Sequence, residues 1–154
     1  MKILCIWISL VFISGCQQNQ DTFAEFESII DNEFPELVDE KFIFFISETG
    51  CPYCRENTYA YLKENPNDWI IVKYEVYNIR NSKIKDRILG FDEGRVIYKA
   101  SEKLVKVLSD LNDKNPVLIL SEVGNIKDLL KINSANAAIL DELISVKFNG
   151  LEIK

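Results

Sequence analysis

The chain of 154 residues contains no histidine. That absence excludes Ser-His and Cys-His nucleophilic catalysis and removes the usual nitrogen ligand of a zinc site. Basic clusters are missing as well. The 18 Lys and Arg are scattered among 24 Asp and Glu, for a net charge of −6, so the chain lacks the electrostatic footprint of a nucleic-acid binder. Cysteine is scarce, with four residues, and two of these, Cys5 and Cys16, fall within the first sixteen positions. The other two, Cys51 and Cys54, cannot close a four-ligand metal shell without carboxylates, and no metal site is expected. Internal repeats, low-complexity tracts and interdomain linkers are also lacking. What remains is 47% hydrophobic and 27% charged, ordinary for a globular protein and long enough for one domain with a real core.

The most informative stretch runs from Lys41 to Arg55, KFIFFISETGCPYCR. Phe42 to Ile46 is short, aromatic and β-branched, and polar residues bound it, which predicts a buried strand. Gly50 turns the chain, and a helical pattern begins at Cys51. A cysteine in the first turn of a helix faces free backbone N–H groups and the positive end of the helix dipole, both of which stabilise thiolate. Pro52 is tolerated there because its missing N–H had no intrahelical partner. Three residues on, Cys54 lies on the same helix face, within reach of Cys51. The spacing predicts a reversible dithiol/disulfide pair.

The N-terminus reads as an address. Lys2 precedes an apolar stretch, Ile3 to Ile13, of 11 residues. A bilayer span takes ~20 residues, so this stretch fits a signal sequence instead. It ends Ile13-Ser14-Gly15-Cys16 and is followed by polar Gln17-Gln18-Asn19-Gln20. The pattern resembles the lipobox of bacterial lipoproteins, in which the cysteine is lipidated and becomes the first mature residue. The resemblance implies a signal peptide over 1–15, a lipidated tether over 16–21 and a domain over 22–154. It also implies a lipid membrane anchor at Cys16 and an extracytoplasmic, oxidising location. Gln17 points to the periplasmic face of the outer membrane if the source is Gram-negative.

Further elements follow in order. Asp21 to Glu33 is predicted helical, with Thr22 and Glu25 as a capping box, Phe23, Phe26, Ile29 and Ile30 as its apolar stripe, and Pro35 as its stop. On the Cys51 helix, Cys54, Thr58, Tyr61 and Leu62 share a face. Trp69 to Tyr77 is a second strand. Asn78 to Lys99 is the least legible segment: Ser82 to Leu89 reads as a short helix closed by Gly90, and Phe91 to Gly94 as loop. Ser101 to Leu111 is a helix with Leu104, Val107, Leu108 and Leu111 inward. Pro116 opens an apolar strand to Leu120, and Ile126 to Ile132 returns as a hairpin arm. Ser134 is expected to cap a last helix with Ile139, Leu140, Leu143 and Ile144 inward, ended by Asn149-Gly150.

This order, with Cys51-Pro52-Tyr53-Cys54 after a buried strand and Pro116 opening the strand beyond the central helices, resembles the thioredoxin-like superfamily over roughly Phe42 to Val146. The resemblance implies an α/β fold with a central mixed sheet flanked by helices, a helical insertion before the strand of Pro116, and a cis bond preceding that proline. It assigns attack to Cys51 and resolution to Cys54, with Pro52, Tyr53, Asn115 and Pro116 as substrate-contact residues. The Pro-Tyr dipeptide is like that of glutaredoxins, but glutathione belongs mainly to the cytosol and this chain reads as exported. Thioredoxin buries an acid six residues before its first cysteine, where this chain has Phe45. The implied function is a membrane-anchored thiol–disulfide oxidoreductase, leaning to reductase or isomerase. Its partners would be the thiols and disulfides of exported proteins and a membrane electron donor, and it would need no cofactor beyond the Cys51–Cys54 disulfide. Two other classes share this frame: a binding or chaperone-like module whose disulfide is structural, and an electron relay to one dedicated partner.

Overall fold

In the computed structural model the described residues are 21, 24–37, 40–66, 69–99, 101–122 and 125–148. The expected signal segment, Cys16, Thr22, Phe23 and the Asn149-Gly150 stop lie outside them. The apolar run forms strand β1 (Phe42–Ser47), which sits at the centre of a five-stranded mixed sheet. On one side β1 pairs in parallel with β2 (Trp69–Tyr74), from Phe42↔Trp69 to Ser47↔Tyr74. Strand β3 (Val96–Tyr98) extends that side, again in parallel. On the other side β4 (Val117–Glu122) runs antiparallel to β1 and forms a hairpin with β5 (Asn125–Lys131). Parallel neighbours need long crossovers, and two helices supply them: α2 (Pro52–Glu64) between β1 and β2, and α3 (Ile79–Leu89) between β2 and β3.

Side chains alternate across each strand, so the sheet divides the interior into two layers. Ile43, Phe45 and Val72 face helix α1 (residues 24–33), with its buried Phe26, Ile29 and Ile30, and helix α4 (Glu102–Asn112), with Leu104, Val107 and Leu108. Phe44, Ile46 and Ile71 face the opposite way. They share a cluster with Cys54 and Leu62 of α2 and with Leu140 and Ile144 of α5 (Leu140–Phe148). Covering on both faces explains why β1, β2 and β4 read as continuous apolar runs.

Several boundaries move from their sequence positions, each for a local reason. Strand β2 stops at Tyr74 instead of Tyr77 because Glu75 takes a left-handed backbone, φ 52°. Helix α3 starts at Ile79, where the Asn78 side chain accepts the Asn81 N–H (3.1 Å), and it ends on left-handed Gly90. The segment expected as loop after Phe91 instead contains a 3₁₀ turn, Glu93–Arg95, and then β3. Ser134 caps no helix. It lies in a turn held by Asn133 and Asn136 side chains, and the 3₁₀ turn Ala137–Ile139 leads into α5, leaving Ile139 exposed.

The bond before Pro116 is trans, contrary to the cis bond the family resemblance implies; there is no cis peptide among the described residues. The chain reverses one step earlier, through two left-handed residues, Asp113 and Lys114, at φ 49° and 62°. The Asn115 N–H then donates to the Asn112 carbonyl (2.9 Å), and the Asn112 amide donates to the Pro116 carbonyl (3.0 Å). With the turn already made, a trans proline leads straight into β4.

Candidate functional site: a dithiol pair at a helix N-terminus

The sheet brings the loop after β1 and the loop before β4 together, and Cys51 lies where they meet. Gly50 makes the approach possible: an ideal Cβ at this position would stand 2.2 Å from the Lys114 carbonyl oxygen. Next to it, the Cys51 N–H donates to the Asn115 side-chain oxygen (3.0 Å). Cys51 is the N-cap of α2, and its sulfur accepts the Cys54 N–H at 3.2 Å. One of the free N–H groups expected from the sequence, that of Cys54, therefore reaches the Cys51 sulfur. Cys51 and Cys54 are joined as a disulfide with a Cα separation of 5.3 Å. Cys51 is half-buried, while Cys54 is fully buried.

The other expected contact residues divide into two groups. Pro52 and Tyr53 are exposed on the first turn of α2, Tyr53 at 48%. Asn115 is half-buried and bonded to Cys51, and Pro116 is buried behind it. Arg55 follows the pair, but its guanidinium donates to the Glu48 carbonyl (2.7 Å), back along the loop.

Phe45 does not lie beneath the cysteines. It belongs to the layer of α1 and α4, on the far side of the sheet from Cys54. The β1 residues on the cysteine face are Phe44 and Ile46, so the strand itself presents no acid there. Charge arrives from the next strand instead. Lys73, paired in register with Ile46, is buried and ion-paired to Asp86 of α3, whose carboxylate also accepts the Tyr98 hydroxyl. The Lys73 ammonium donates to Ser82 (3.3 Å) and lies 4.9 Å from the ring centroid of Tyr59 on α2. Burial pushes the phenols of Tyr59 and Tyr98 above their ordinary value, and the Asp86 charge pushes them further. This cluster was not identified from the sequence. Its signal was Lys73, a single charge in the apolar run Trp-Ile-Ile-Val-Lys-Tyr, where a buried ammonium requires a partner.

A second group that the sequence reading missed surrounds Glu75. Its carboxylate accepts from Thr49 (2.8 Å), Ser47 (3.1 Å) and Lys114 (2.8 Å). Partial burial raises its carboxyl pKa, but the hydrogen bonds from Lys114, Thr49 and Ser47 and the charge of Lys114 outweigh this. The carboxyl therefore sits below its ordinary value. Among the described residues, no cluster of Cys, Asp and Glu has the form of a metal site.

The sheet order β3-β2-β1-β4-β5, with its parallel and antiparallel halves and a CxxC pair opening the helix after the central strand, is a thioredoxin-like fold. No protein-family model matches the chain, and no curated protein matches it significantly. Among solved structures it is similar to a candidate thioredoxin from Neisseria meningitidis, at 16% identity and a TM-score of 0.46, over 76% of this chain and 81% of that one. It is also similar to the reduced N-terminal domain of PilB from N. meningitidis, at 16% identity and a TM-score of 0.36, over 73% and 88% of the two chains.

Proposed function

We propose that this protein is a thiol–disulfide oxidoreductase that reduces or isomerises disulfides of exported proteins from a membrane surface. The observation that carries the reading is the asymmetry of the pair. The half-buried Cys51 caps a helix and accepts a backbone N–H, and the fully buried Cys54 is already bonded to it. In the reduced form the Cys51 thiolate attacks one sulfur of a client disulfide and expels the other as a client thiolate. The resulting mixed disulfide is then attacked at the Cys51 sulfur by Cys54, which releases the second client thiolate and closes Cys51–Cys54. Two electrons pass from domain to client. A membrane electron donor, itself a dithiol, restores the pair by the same two exchanges. The exposed Pro52 and Tyr53 and the half-buried Asn115 would line the path of the client chain.

The reductive direction is supported by how little unopposed cationic charge adjoins Cys51, since the Lys114 ammonium of the neighbouring loop is paired with Glu75. Tyr53 brings no cation, and Arg55 is turned to Glu48. A reduction potential of roughly −240 to −160 mV follows, between a reducing and a strongly oxidising pair. Cys16 would carry the lipid anchor.

Trapping tests the reading. Full-length protein carrying Cys54→Ala, expressed in the native cell, should accumulate mixed disulfides through Cys51, and the unaltered chain should reduce insulin. Iodoacetamide at mildly acidic pH should modify Cys51 before Cys54, and Cys16→Ser should release the chain from membranes. An inert pair, or preferential labelling of Cys54, would overturn the assignment of chemistry. A Cys16→Ser chain that stays in the membrane fraction would overturn the anchor alone.

A further inference from the structure

Both loops of the site are tied to a charged pair that thiol exchange does not itself require. Glu75 is a non-glycine residue at φ 52°, a backbone region that side chains bearing a β-carbon seldom adopt. This turn directs its carboxylate over the cysteine loop. One oxygen accepts from Thr49 (2.8 Å) and Ser47 (3.1 Å), and the other accepts from the Lys114 ammonium (2.8 Å). Two of these partners lead directly to the nucleophile. Thr49 is two residues before Cys51. Lys114 precedes Asn115, whose side chain holds the Cys51 N–H, and the Lys114 carbonyl is the atom that packs on Gly50. The side chains of Lys114 and Glu75 are 36% and 21% exposed, so solvent screens them less than it would free surface charges. Nearby in the chain, the Arg55 guanidinium donates to the Glu48 carbonyl (2.7 Å).

We propose that Glu75 and Lys114 act as an opposed-charge pair that sets the redox poise of Cys51–Cys54, the carboxylate disfavouring the Cys51 thiolate and the ammonium favouring it. The proposal rests on the reading of this pair as a reversible dithiol. Equilibration with glutathione follows one balanced exchange: domain disulfide plus two glutathione thiols gives domain dithiol plus glutathione disulfide. Only the dithiol side carries a thiolate. A charge that stabilises the thiolate therefore draws the equilibrium towards dithiol and makes the domain a stronger oxidant. Despite partial burial, hydrogen bonds from Lys114, Thr49 and Ser47 and the Lys114 charge hold the Glu75 carboxyl below its ordinary value, so it is a carboxylate at neutral pH. Both members of the pair are positioning residues, since neither exchanges electrons.

The sign of the effect is the test. Full chains carrying Glu75→Gln, Lys114→Met or both would be equilibrated with glutathione buffers and quenched by alkylation, with the state of Cys51 and Cys54 read by peptide mass spectrometry. Glu75→Gln leaves the ammonium unopposed and should shift the equilibrium constant at least threefold towards dithiol, with a lower Cys51 thiol pKa. Lys114→Met should shift both in the opposite sense, also at least threefold, and the double variant should return to within about twofold of the parent. A clamp with a purely structural role would loosen the same loops in either variant and move both single variants together. Shifts in the same direction, or below threefold, overturn the proposal and leave the dithiol reading intact. A parent chain that fails to equilibrate overturns both. If Glu75→Gln does not fold, Lys114→Met and Lys114→Gln decide the matter: both must move towards disulfide, and failure of either to do so overturns the proposal.

Discussion

Replacing Gly50 by alanine should separate the two loops that form the site. The added Cβ would stand 2.2 Å from the Lys114 carbonyl oxygen, 2.8 Å from its carbon and 3.3 Å from the Asn115 nitrogen. All three are backbone atoms, so no side chain can rotate away. Restoring ordinary contact requires the loops to part by about 1 Å, and overpacking of this kind costs roughly 1–3 kcal/mol. The same movement stretches the 3.0 Å bond from the Cys51 N–H to Asn115, a further loss of about 1 kcal/mol. The expected destabilisation is therefore about 2–4 kcal/mol, a large fraction of the stability of a domain this size. Urea titration of the full chain should show a lower midpoint at unchanged slope. Gly94→Ala is the matched control: its Cβ would meet nothing closer than Asp92 at 3.7 Å, and its φ is not positive. That variant should be neutral or up to about 1 kcal/mol more stable. A Gly50→Ala chain within about 0.5 kcal/mol of the parent would refute the loop contact as drawn.

Lys73→Met should cost about 3–5 kcal/mol by leaving Asp86 charged and buried, while Lys73→Met with Asp86→Leu should recover most of that loss; equal losses in the two chains would show that the pair is not coupled. Tyr74→Phe should be neutral or up to about 1 kcal/mol stabilising, because the Tyr74 hydroxyl is buried without a hydrogen-bond partner among the described residues. A clear loss of stability would contradict that environment. Burial holds the phenols of Tyr59, Tyr74 and Tyr98 above their ordinary value, and nearby carboxylates, Asp86 for Tyr59 and Tyr98 and Glu75 for Tyr74, raise them further. Their contribution to stability is complete below the unfolded pKa of about 10 and is lost as pH rises through the higher folded values. Tyrosinate absorbance should therefore rise together with cooperative unfolding at alkaline pH; ionisation of all three in an intact fold would refute the burial argument.

The parts of this protein that were legible in its sequence are those whose cause is local. Phe42 to Ile46 declares a strand because five adjacent side chains are apolar, and Cys51-Pro52 declares a helix start because its chemistry suits free N–H groups. Strand β3 is invisible by the same logic: three residues carry no period, and Val96–Tyr98 becomes a strand only because β2 presents an edge to it. Counting back from Cys51 found that Phe45 stands where thioredoxin has its acid, but not which face of the sheet Phe45 takes, which strand alternation against the packed helices decides. The charged pairs on and beside the sheet join elements far apart in sequence. Asp86 lies 13 residues from Lys73, and Lys114 lies 39 from Glu75. Such partners are selected by topology. Strand β1, which leads into the cysteine loop, is apolar on both faces, and the buried charge beside it is Lys73 of its neighbour β2. Lys73 and Glu75 flank Tyr74 at the end of that strand, one on the cysteine face and the other turned over the cysteine loop. On the proposal that Glu75 tunes the pair, a search for further tuning residues is better begun at the end of β2 than on β1.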